Sequence, residues 1–358
     1  MMLASQWKLH VMQPNPILDF GIDKSAIQYV GADLQRPECI LAERDGTLWA
    51  ADARGGVARI AADGTQRIIT QKRSESFREA GNEADRYLTG TLPNGLAFAR
   101  NGDILISNFG TDCLEIMSRD GDTRVLADSI DGEAIGKVNF VLRDSKDRIW
   151  ITISTRIKNW MHALRTDLAD GYLARYVDGK FRIVADGFRF TNEVRFDARE
   201  EWLYVVETTG GCVTRLRIDG HGNPKEREIF GPSKLGNGAW PDGIAFDSYG
   251  NLWGTLVYSD KLWVITPQGD FRVLLDEGDP QKVEALEQAF MRNHVTEDAL
   301  FVTGRGIAPW MASVTFGGAD LRTVYVGSLK GKRIPYFRSP VAGLPMVHWN
   351  DSVAVGAE

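Results

Sequence analysis

The chain repeats one short strand-like motif six times, and this repetition limits its possible folds more than any other feature. Each copy is rich in β-branched and aromatic side chains, which favour strands. The copies are GTLWAAD (46–52), GDILISN (102–108), DRIWITI (147–153), EWLYVVE (201–207), GNLWGTL (250–256) and LRTVYVG (321–327).

A second motif follows five of the copies, and it consists of two strand-like runs joined by a turn dipeptide. The dipeptides are Asp63-Gly64, Asp120-Gly121, Asp178-Gly179, Asp219-Gly220 and Gln268-Gly269. Asp-Gly between alternating apolar residues indicates a β-hairpin, because both central turn positions favour positive φ. A further run precedes the repeated strand, as in GLAFA (95–99) and GIAFD (243–247), and completes four strands per unit. The sixth copy ends differently, in KRIPYFRSPVAGLPMVHW.

Six units of four strands predict an all-β fold, a six-bladed β-propeller. Helix-rich and βαβ folds do not fit this pattern. A β-sandwich with accidental similarity between strands is the alternative, but a sandwich does not require the same unit six times.

A length of 358 residues would allow two domains. The repeat instead predicts a single domain over 1–358, with the propeller at about 30–350.

Three segments fall outside the predicted blades, at 72–90, 155–170 and 279–296, and we interpret them as insertions between strands. The third begins with Asp-Pro and places apolar residues on one face, which predicts a short helix. Insertions on one face of a propeller commonly shape a binding site. Trp160 and His162 of the second insertion are therefore candidate substrate contacts.

Charge and composition exclude some classes of partner. The chain has 42 Lys and Arg against 48 Asp and Glu, a net charge of -6, so we expect no nucleic-acid partner. The N-terminal run MMLASQWKLHVMQPNP lacks the pattern of a secretory signal, and no apolar stretch is long enough to span a membrane. We expect a soluble, cytoplasmic protein without a membrane partner. The sequence leaves the oligomeric state open.

Polar oxygen side chains recur at one register of the repeat. Counting back ten residues from the first apolar residue of the repeated strand, or eleven in the fourth copy, gives Glu38, Asn94, Asn139, Asn192 and Asp242. The same count in the sixth copy gives Val314. Equivalent positions of a propeller are related by rotation about the central channel, so we expect these five side chains to converge on the axis.

Carboxylates and carboxamides without His or Cys are hard oxygen ligands, which favour calcium or magnesium over zinc. Calcium fits best, because its flexible coordination suits several convergent side chains; Mg²⁺, Mn²⁺ and Zn²⁺ are the alternatives. The competing interpretation is that these residues only form Asx turns, as in PNG (93–95) and PDG (241–243). Glu38 and Asn139 lie outside any such turn, which favours the metal site.

The successive motifs resemble those of a known family, the senescence marker protein, gluconolactonase and luciferin-regenerating enzyme family, also called the regucalcin family. The resemblance covers about residues 30–348. The motifs that carry it are RPECILAERDGTLWAAD, LPNGLAFARNGDILISN, VNFVLRDSKDRIWITI, TNEVRFDAREEWLYVVET, WPDGIAFDSYGNLWG and SVTFGGADLRTVYVGS.

The resemblance implies a six-bladed propeller that binds one divalent cation in its central tunnel and hydrolyses a lactone. Matched by motif, Glu38, Asn139, Asn192 and Asp242 would be the metal ligands, and Asp242 would also act as the base. Asn94 matches a position near the site and is a candidate substrate contact.

Three positions depart from the family pattern. Asn139-Phe140 replaces the usual Asn-Asp, and Asn192-Glu193 replaces the usual Asn-Gly. Phe140 removes a carboxylate and Glu193 adds one, so we expect a substrate pocket unlike that of sugar-lactone enzymes, with Glu193 as a candidate contact. Lys137 stands where some members carry a substrate-binding arginine.

The sequence therefore predicts a metal-dependent lactonase in which a metal-activated water opens the cyclic ester. It contains no GxSxG, HExxH or GxxxxGK[ST] motif, so serine-triad, zincin and P-loop functions lack their signatures. Two alternatives stay open: a hydrolase of organophosphates or aryl esters on the same metal site, and a non-enzymatic calcium-binding or protein-binding propeller. The aromatic content permits an apolar or aromatic lactone as substrate.

Overall fold

Six four-stranded antiparallel sheets follow one another along the chain in the computed structural model, which describes residues 14–72 and 90–351. The sheets are the blades of a β-propeller, as the repeat predicted. Blade 1 contains Ile40–Ala42, Leu48–Asp52, Gly56–Ile60 and Gln66–Thr70, and blade 2 contains Pro93–Phe98, Ile104–Asn108, Cys113–Met117 and Thr123–Ala127. Blade 3 contains Val138–Arg143, Ile149–Ile153, Gly171–Val177 and Lys180–Phe188. Blade 4 contains Thr191–Phe196, Trp202–Glu207, Cys212–Ile218 and Pro224–Phe230, and blade 5 contains Pro241–Phe246, Leu252–Leu256, Lys261–Ile265 and Phe271–Asp276.

Blade 6 combines strands from both ends of the described chain. Met311–Gly317, Thr323–Ser328 and Ile334–Arg338 form its first three strands. Gln28–Val30 supplies the fourth and pairs antiparallel with the third, with Tyr29 opposite Pro335. This pairing closes the ring, and it explains why the sixth repeat lacks the hairpin found after the other five.

The turn dipeptides join neighbouring strands as predicted, but only one has the predicted backbone. Asp178 and Gly179 have φ of 49° and 86° and form a two-residue turn between the paired residues Val177 and Lys180. In the other four turns more residues separate the last paired positions, as between Ile60 and Gln66. These turns do not place both residues of the dipeptide at positive φ.

In three blades, a tryptophan of the second strand donates a hydrogen bond to the acidic residue that directly follows the first strand. The pairs are Glu43 with Trp49 (2.6 Å), Asp144 with Trp150 (2.9 Å) and Asp247 with Trp253 (2.9 Å). These indoles are almost fully buried, and each belongs to an apolar cluster between sheets. Because the carboxylate satisfies the indole N–H, the large ring fills the core without leaving a buried donor unpaired.

Two of the predicted insertions lie on one face of the propeller. Residues 155–170 contain the 3-10 helix Trp160–Ala163, and 279–296 contain the helix α1, Pro280–Met291, which Asp279 caps. A second helix, α2, spans Glu297–Phe301. Val283, Leu286 and Phe290 of α1 are buried, as the spacing predicted. Residues 73–89, nearly all of the predicted insertion at 72–90, lie outside the described residues.

Short elements complete the described chain. They are the 3-10 helices Pro16–Asp19, Lys24–Ala26 and Val347–Asn350 and the paired strands Ser129–Ile130 and Glu133–Ala134. Within residues 14–72 and 90–351, no helix has the length and apolar character needed to cross a membrane.

Candidate functional site

The five oxygen-bearing side chains found by register line one cavity. All are buried, with exposed fractions between 2% and 6%; they are Glu38, Asn94, Asn139, Asn192 and Asp242. Neighbouring members touch: Asn94 Nδ2 donates to the backbone oxygen of Asn139 at 3.0 Å and to its Oδ1 at 3.3 Å. The cavity therefore has a polar floor built from five different blades.

A β-bulge presents the floor residue in blades 2 to 5. Asn94, Asn139, Asn192 and Asp242 are each the second residue of a first strand, and the pairing with the second strand changes register at that point. A bulge redirects one side chain relative to the regular alternation of a strand. Gly243 follows Asp242, where an added Cβ would lie 2.3 Å from the Ala312 backbone oxygen, so adjacent blades approach here as closely as glycine permits.

In blade 6 the position equivalent to the floor residues is Ala312, two residues before Val314, to which the register count led. Phe316 pairs with Val324 in blade 6, whereas Phe246 pairs with Leu252 in blade 5, so the blade 6 hairpin is two residues longer. A count from the second strand therefore lands two residues too late. Ala312 is buried and has no side-chain oxygen, so blade 6 still contributes none.

Arg36 also lies on the floor, and the register count missed it. Its Nη1 lies 2.6 Å from Glu38 Oε2, and its Nη2 donates to Asn94 Oδ1 at 2.8 Å. Arg36 has a positive φ of 57°, and its backbone oxygen accepts the Glu38 N–H at 2.7 Å. It precedes the register position by two residues, so only its closeness to Glu38 in the sequence could have signalled it.

Three buried acidic side chains lie close enough to interact electrostatically. Burial raises the pKa of Glu38 to about 7 against the opposing charge of Arg36. Burial also raises the pKa of Glu193 to about 7, opposed by Arg195. The pKa of Asp242 is raised well above its usual value, first by burial and then by the charges of Glu38 and Glu193. The cluster therefore favours binding of protons or of a further cation.

The departures at Phe140 and Glu193 are physically connected through Arg195. Glu193 Oε2 lies 3.1 Å from Arg195 Nη2 and accepts the Ile244 N–H at 3.2 Å. The Arg195 guanidinium lies over the Phe140 ring, 4.5 Å from its centroid. Glu193 lies behind the residues that line the cavity and fastens the strand that presents Asp242. Phe140, Glu193 and Arg195 form one buried layer beneath the floor.

The structure separates the other candidate residues. Trp160 lines the cavity, whereas His162 of the same 3-10 helix is exposed and does not. Lys137 is fully buried and is not among the residues that line the cavity; its Nζ lies 2.8 Å from Asp112 Oδ1 and donates to the Phe109 backbone oxygen at 3.1 Å. Lys137 supports Phe109, which itself lines the cavity.

The floor offers oxygen donors that suit a hard cation. Asn192 Nδ2 donates to Thr208 Oγ1 at 3.0 Å, which in turn donates to the Pro241 backbone oxygen at 2.7 Å. Asn192 Oδ1 is buried and has no hydrogen-bond partner among the described residues. No group of three or more His, Cys, Asp or Glu in the described ranges is placed to hold a metal ion. A metal here would thus bind through amide oxygens as well as the carboxylates of Glu38 and Asp242.

The fold and the polar floor of the cavity together define a six-bladed propeller with buried carboxylates and carboxamides at its axis. The family model described as SMP-30/Gluconolactonase/LRE-like region matches residues 36–276, and the chain belongs to that family. This finding confirms the resemblance of the sequence motifs.

Known proteins resemble the chain in part of its sequence or in its fold. A 6-deoxy-6-sulfogluconolactonase from Pseudomonas putida is 28% identical over 169 residues, which are 47% of this chain and 48% of that protein. The matched segment thus spans about half of this relative. Regucalcin from Agrobacterium tumefaciens, described as a calcium-binding protein, has a TM-score of 0.62 at 14% identity, covering 89% of this chain and 96% of its own. A gluconolactonase from Xanthomonas campestris has a TM-score of 0.59 at 18% identity, covering 88% and 89%. At these identities the two structures establish a shared fold.

We expect Asp242→Asn to raise the free energy of unfolding at about pH 8, measured in EDTA to keep the protein free of metal. The expected gain is about 1 kcal/mol or more, which corresponds to a shift of about one pKa unit. The pKa of Asp242 is raised in the folded protein, so the ionised carboxylate opposes folding above that pKa. The gain should shrink as the pH falls towards about 4, because the unfolded chain then binds the same proton. Thermal melts of both proteins at several pH values measure the difference.

Asp128→Asn is the control for this measurement, because Asp128 is exposed. Its melting temperature should stay close to that of the unmodified protein throughout the pH range. A melting temperature of Asp242→Asn below the unmodified protein at about pH 8 would contradict the assignment of Asp242 to a crowded acidic cluster.

Proposed function

We propose that this protein is a divalent-metal-dependent hydrolase that opens the ring of a lactone. The observation that carries the proposal is the buried floor of Glu38, Asn139, Asn192 and Asp242, in which the Asn192 Oδ1 has no hydrogen-bond partner among the described residues. Membership of a family whose model description includes gluconolactonase, and partial identity to a sulfogluconolactonase, support lactone hydrolysis.

Glu38, Asn139, Asn192 and Asp242 would hold the cation, and their hard oxygen atoms suit Ca²⁺ best, with Mg²⁺, Mn²⁺ or Zn²⁺ as alternatives. When bound, a divalent cation polarises the lactone carbonyl and stabilises the developing oxyanion. The neighbour described as a calcium-binding regucalcin supports the choice of Ca²⁺.

Asp242 is the proposed general base. Its carboxylate takes a proton from a water molecule as the water oxygen bonds to the lactone carbonyl carbon. The bond between that carbon and the ring oxygen then breaks, and Asp242 returns the proton to the departing ring oxygen. The product is an open-chain hydroxy acid, so the reaction consumes one water and leaves Asp242 unchanged.

Asn94 acts as a positioning residue in this proposal. Its Nδ2 is hydrogen-bonded to Asn139, and its Oδ1 accepts from Arg36 Nη2 at 2.8 Å. Both ends of the amide are thus committed to neighbours on the floor. The amide orients Asn139 and Arg36 and leaves direct ligation to the other four floor residues.

Removal of either floor carboxylate is expected to abolish metal-dependent lactone hydrolysis. Asp242→Asn and Glu38→Gln should each lower kcat/KM by at least about 100-fold, the scale of a lost general base. Rates with added calcium, and rates after treatment with EDTA, measure the effect, while circular dichroism verifies the fold. Asp128→Asn is the matched control at an exposed carboxylate and should retain full activity. Full activity of Glu38→Gln, or of protein stripped of metal by EDTA, would refute the proposed mechanism.

Arg36→Met is expected to tighten calcium binding by about tenfold, or about 1.4 kcal/mol. Arg36 lies 2.6 Å from Glu38 Oε2 and donates to Asn94, so its charge competes with a cation for the same oxygen. Methionine has a similar length but carries neither the charge nor the donors. Isothermal titration with CaCl₂ measures the dissociation constant without reference to activity.

Arg195→Met provides the matched control, because Arg195 is equally buried but pairs with Glu193 behind the cavity. Its effect on the dissociation constant should be smaller than that of Arg36→Met. Unchanged or weaker calcium binding by Arg36→Met would show that Arg36 does not compete with the cation.

A further inference from the structure

The cavity above the floor has apolar walls. Six of the wall side chains are Phe109, Trp160, Phe190, Val257, Tyr258 and Trp310. They come from the ends of several blades and from the second insertion, and all belong to one apolar cluster on that face. Every charged residue among the described residues that line the cavity lies on the floor.

Contacts between aromatic rings fix the positions of the walls. Trp160 packs edge-on against Phe109 and Phe190, with ring centroids 6.2 Å and 6.3 Å apart. Tyr258 packs against Trp310 at 5.1 Å with nearly perpendicular ring planes. Such edge-to-face pairs are favourable beyond the apolar area that they bury. The walls are therefore a preformed apolar surface.

The indole N–H of Trp310 is already used within the protein. Trp310 Nε1 donates to Thr303 Oγ1 at 2.7 Å. Lys330 Nζ lies 3.9 Å from the centroid of the Trp310 ring, but it donates to the Phe301 and Thr303 backbone oxygens and is not among the lining residues. A substrate next to Trp310 thus meets the ring and not a polar group.

This division between floor and walls determines which lactone fits. A sugar lactone carries hydroxyl groups around its ring, and each hydroxyl that loses water without gaining a partner opposes binding. An alkyl or aryl substituent gains free energy when it leaves water for the same walls. The ester group itself needs the polar floor, which all lactones can use equally.

Building on the proposed hydrolysis of a lactone, we propose that the substrates are lactones with an alkyl or aryl substituent and not polyhydroxylated sugar lactones. The substituent lies against Trp160, Phe190 and Val257 while the ester carbonyl faces the floor. Water adds to the carbonyl carbon, the acyl carbon to ring oxygen bond breaks, and an apolar hydroxy acid leaves.

The experiment compares three substrates on the metal-loaded protein: an alkyl-substituted δ-lactone, dihydrocoumarin and glucono-δ-lactone. We expect kcat/KM to be at least about 100-fold higher for the first two than for the third, the scale on which unpaired polar groups discriminate. Comparable or faster opening of glucono-δ-lactone would overturn this inference but leave the proposed lactonase function intact. Failure to open any lactone with Ca²⁺, Mg²⁺, Mn²⁺ or Zn²⁺ would overturn both.

Wall variants test whether Val257 contributes to this preference. Val257 is buried and follows the second strand of blade 5. Val257→Thr preserves the shape of the side chain but replaces a methyl group with a hydroxyl group, so the ratio of kcat/KM for the alkyl lactone to that for glucono-δ-lactone should fall at least about threefold. Val257→Ile, the apolar control, should keep the preference for the alkyl lactone. An equal ratio in Val257→Thr and the unmodified protein would exclude Val257 as a specificity-determining residue.

Discussion

The site depends on the rotational symmetry of the propeller, which brings one position of each blade to the same axis. Strand bulges at Asn94, Asn139, Asn192 and Asp242 point these side chains into a space that Glu38 also enters. The floor forms only where these residues meet, since each of five blades contributes a single one of these five side chains. Closure of blade 6 by Gln28–Val30 fixes the ring, so the geometry of the floor depends on a contact between the two ends of the described chain.

Convergence at an axis concentrates negative charge as well as oxygen atoms. Glu38, Asp242 and Glu193 are all buried. In the described structure, the guanidinium groups of Arg36 and Arg195 supply positive charge next to them. Arg195 pairs with Glu193 beneath the floor, whereas Arg36 occupies the floor beside Glu38. This arrangement favours stability in the absence of metal, while a functional cation would have to replace Arg36 at the Glu38 carboxylate. Under the proposed function, the floor would thus have two alternative sources of positive charge.

The repeat predicted the blades and five of the floor residues, because both follow from the spacing of strands along the chain. In blade 6 the register count led to Val314, whereas the longer hairpin between Phe316 and Val324 makes Ala312 the equivalent position. Arg36 could not be found by register, since a turn with positive φ brings it to the floor. The link from Phe140 to Glu193 through Arg195 was hidden for a different reason: it joins neighbouring blades, and the sequence does not state which side chains meet across them. The apolar walls combine loops from several blades and are likewise a property of the folded chain.

In the proposed function, a divalent cation replaces the Arg36 guanidinium on the floor. A crystal structure of the protein soaked in MnCl₂, with anomalous difference maps recorded near the manganese edge, shows whether this exchange occurs. We expect a single strong peak at the axis, within bonding distance of the oxygens of Glu38, Asn139, Asn192 and Asp242, with Arg36 turned away from Glu38. A map without a peak at the axis, in which Arg36 still pairs with Glu38, would refute the exchange.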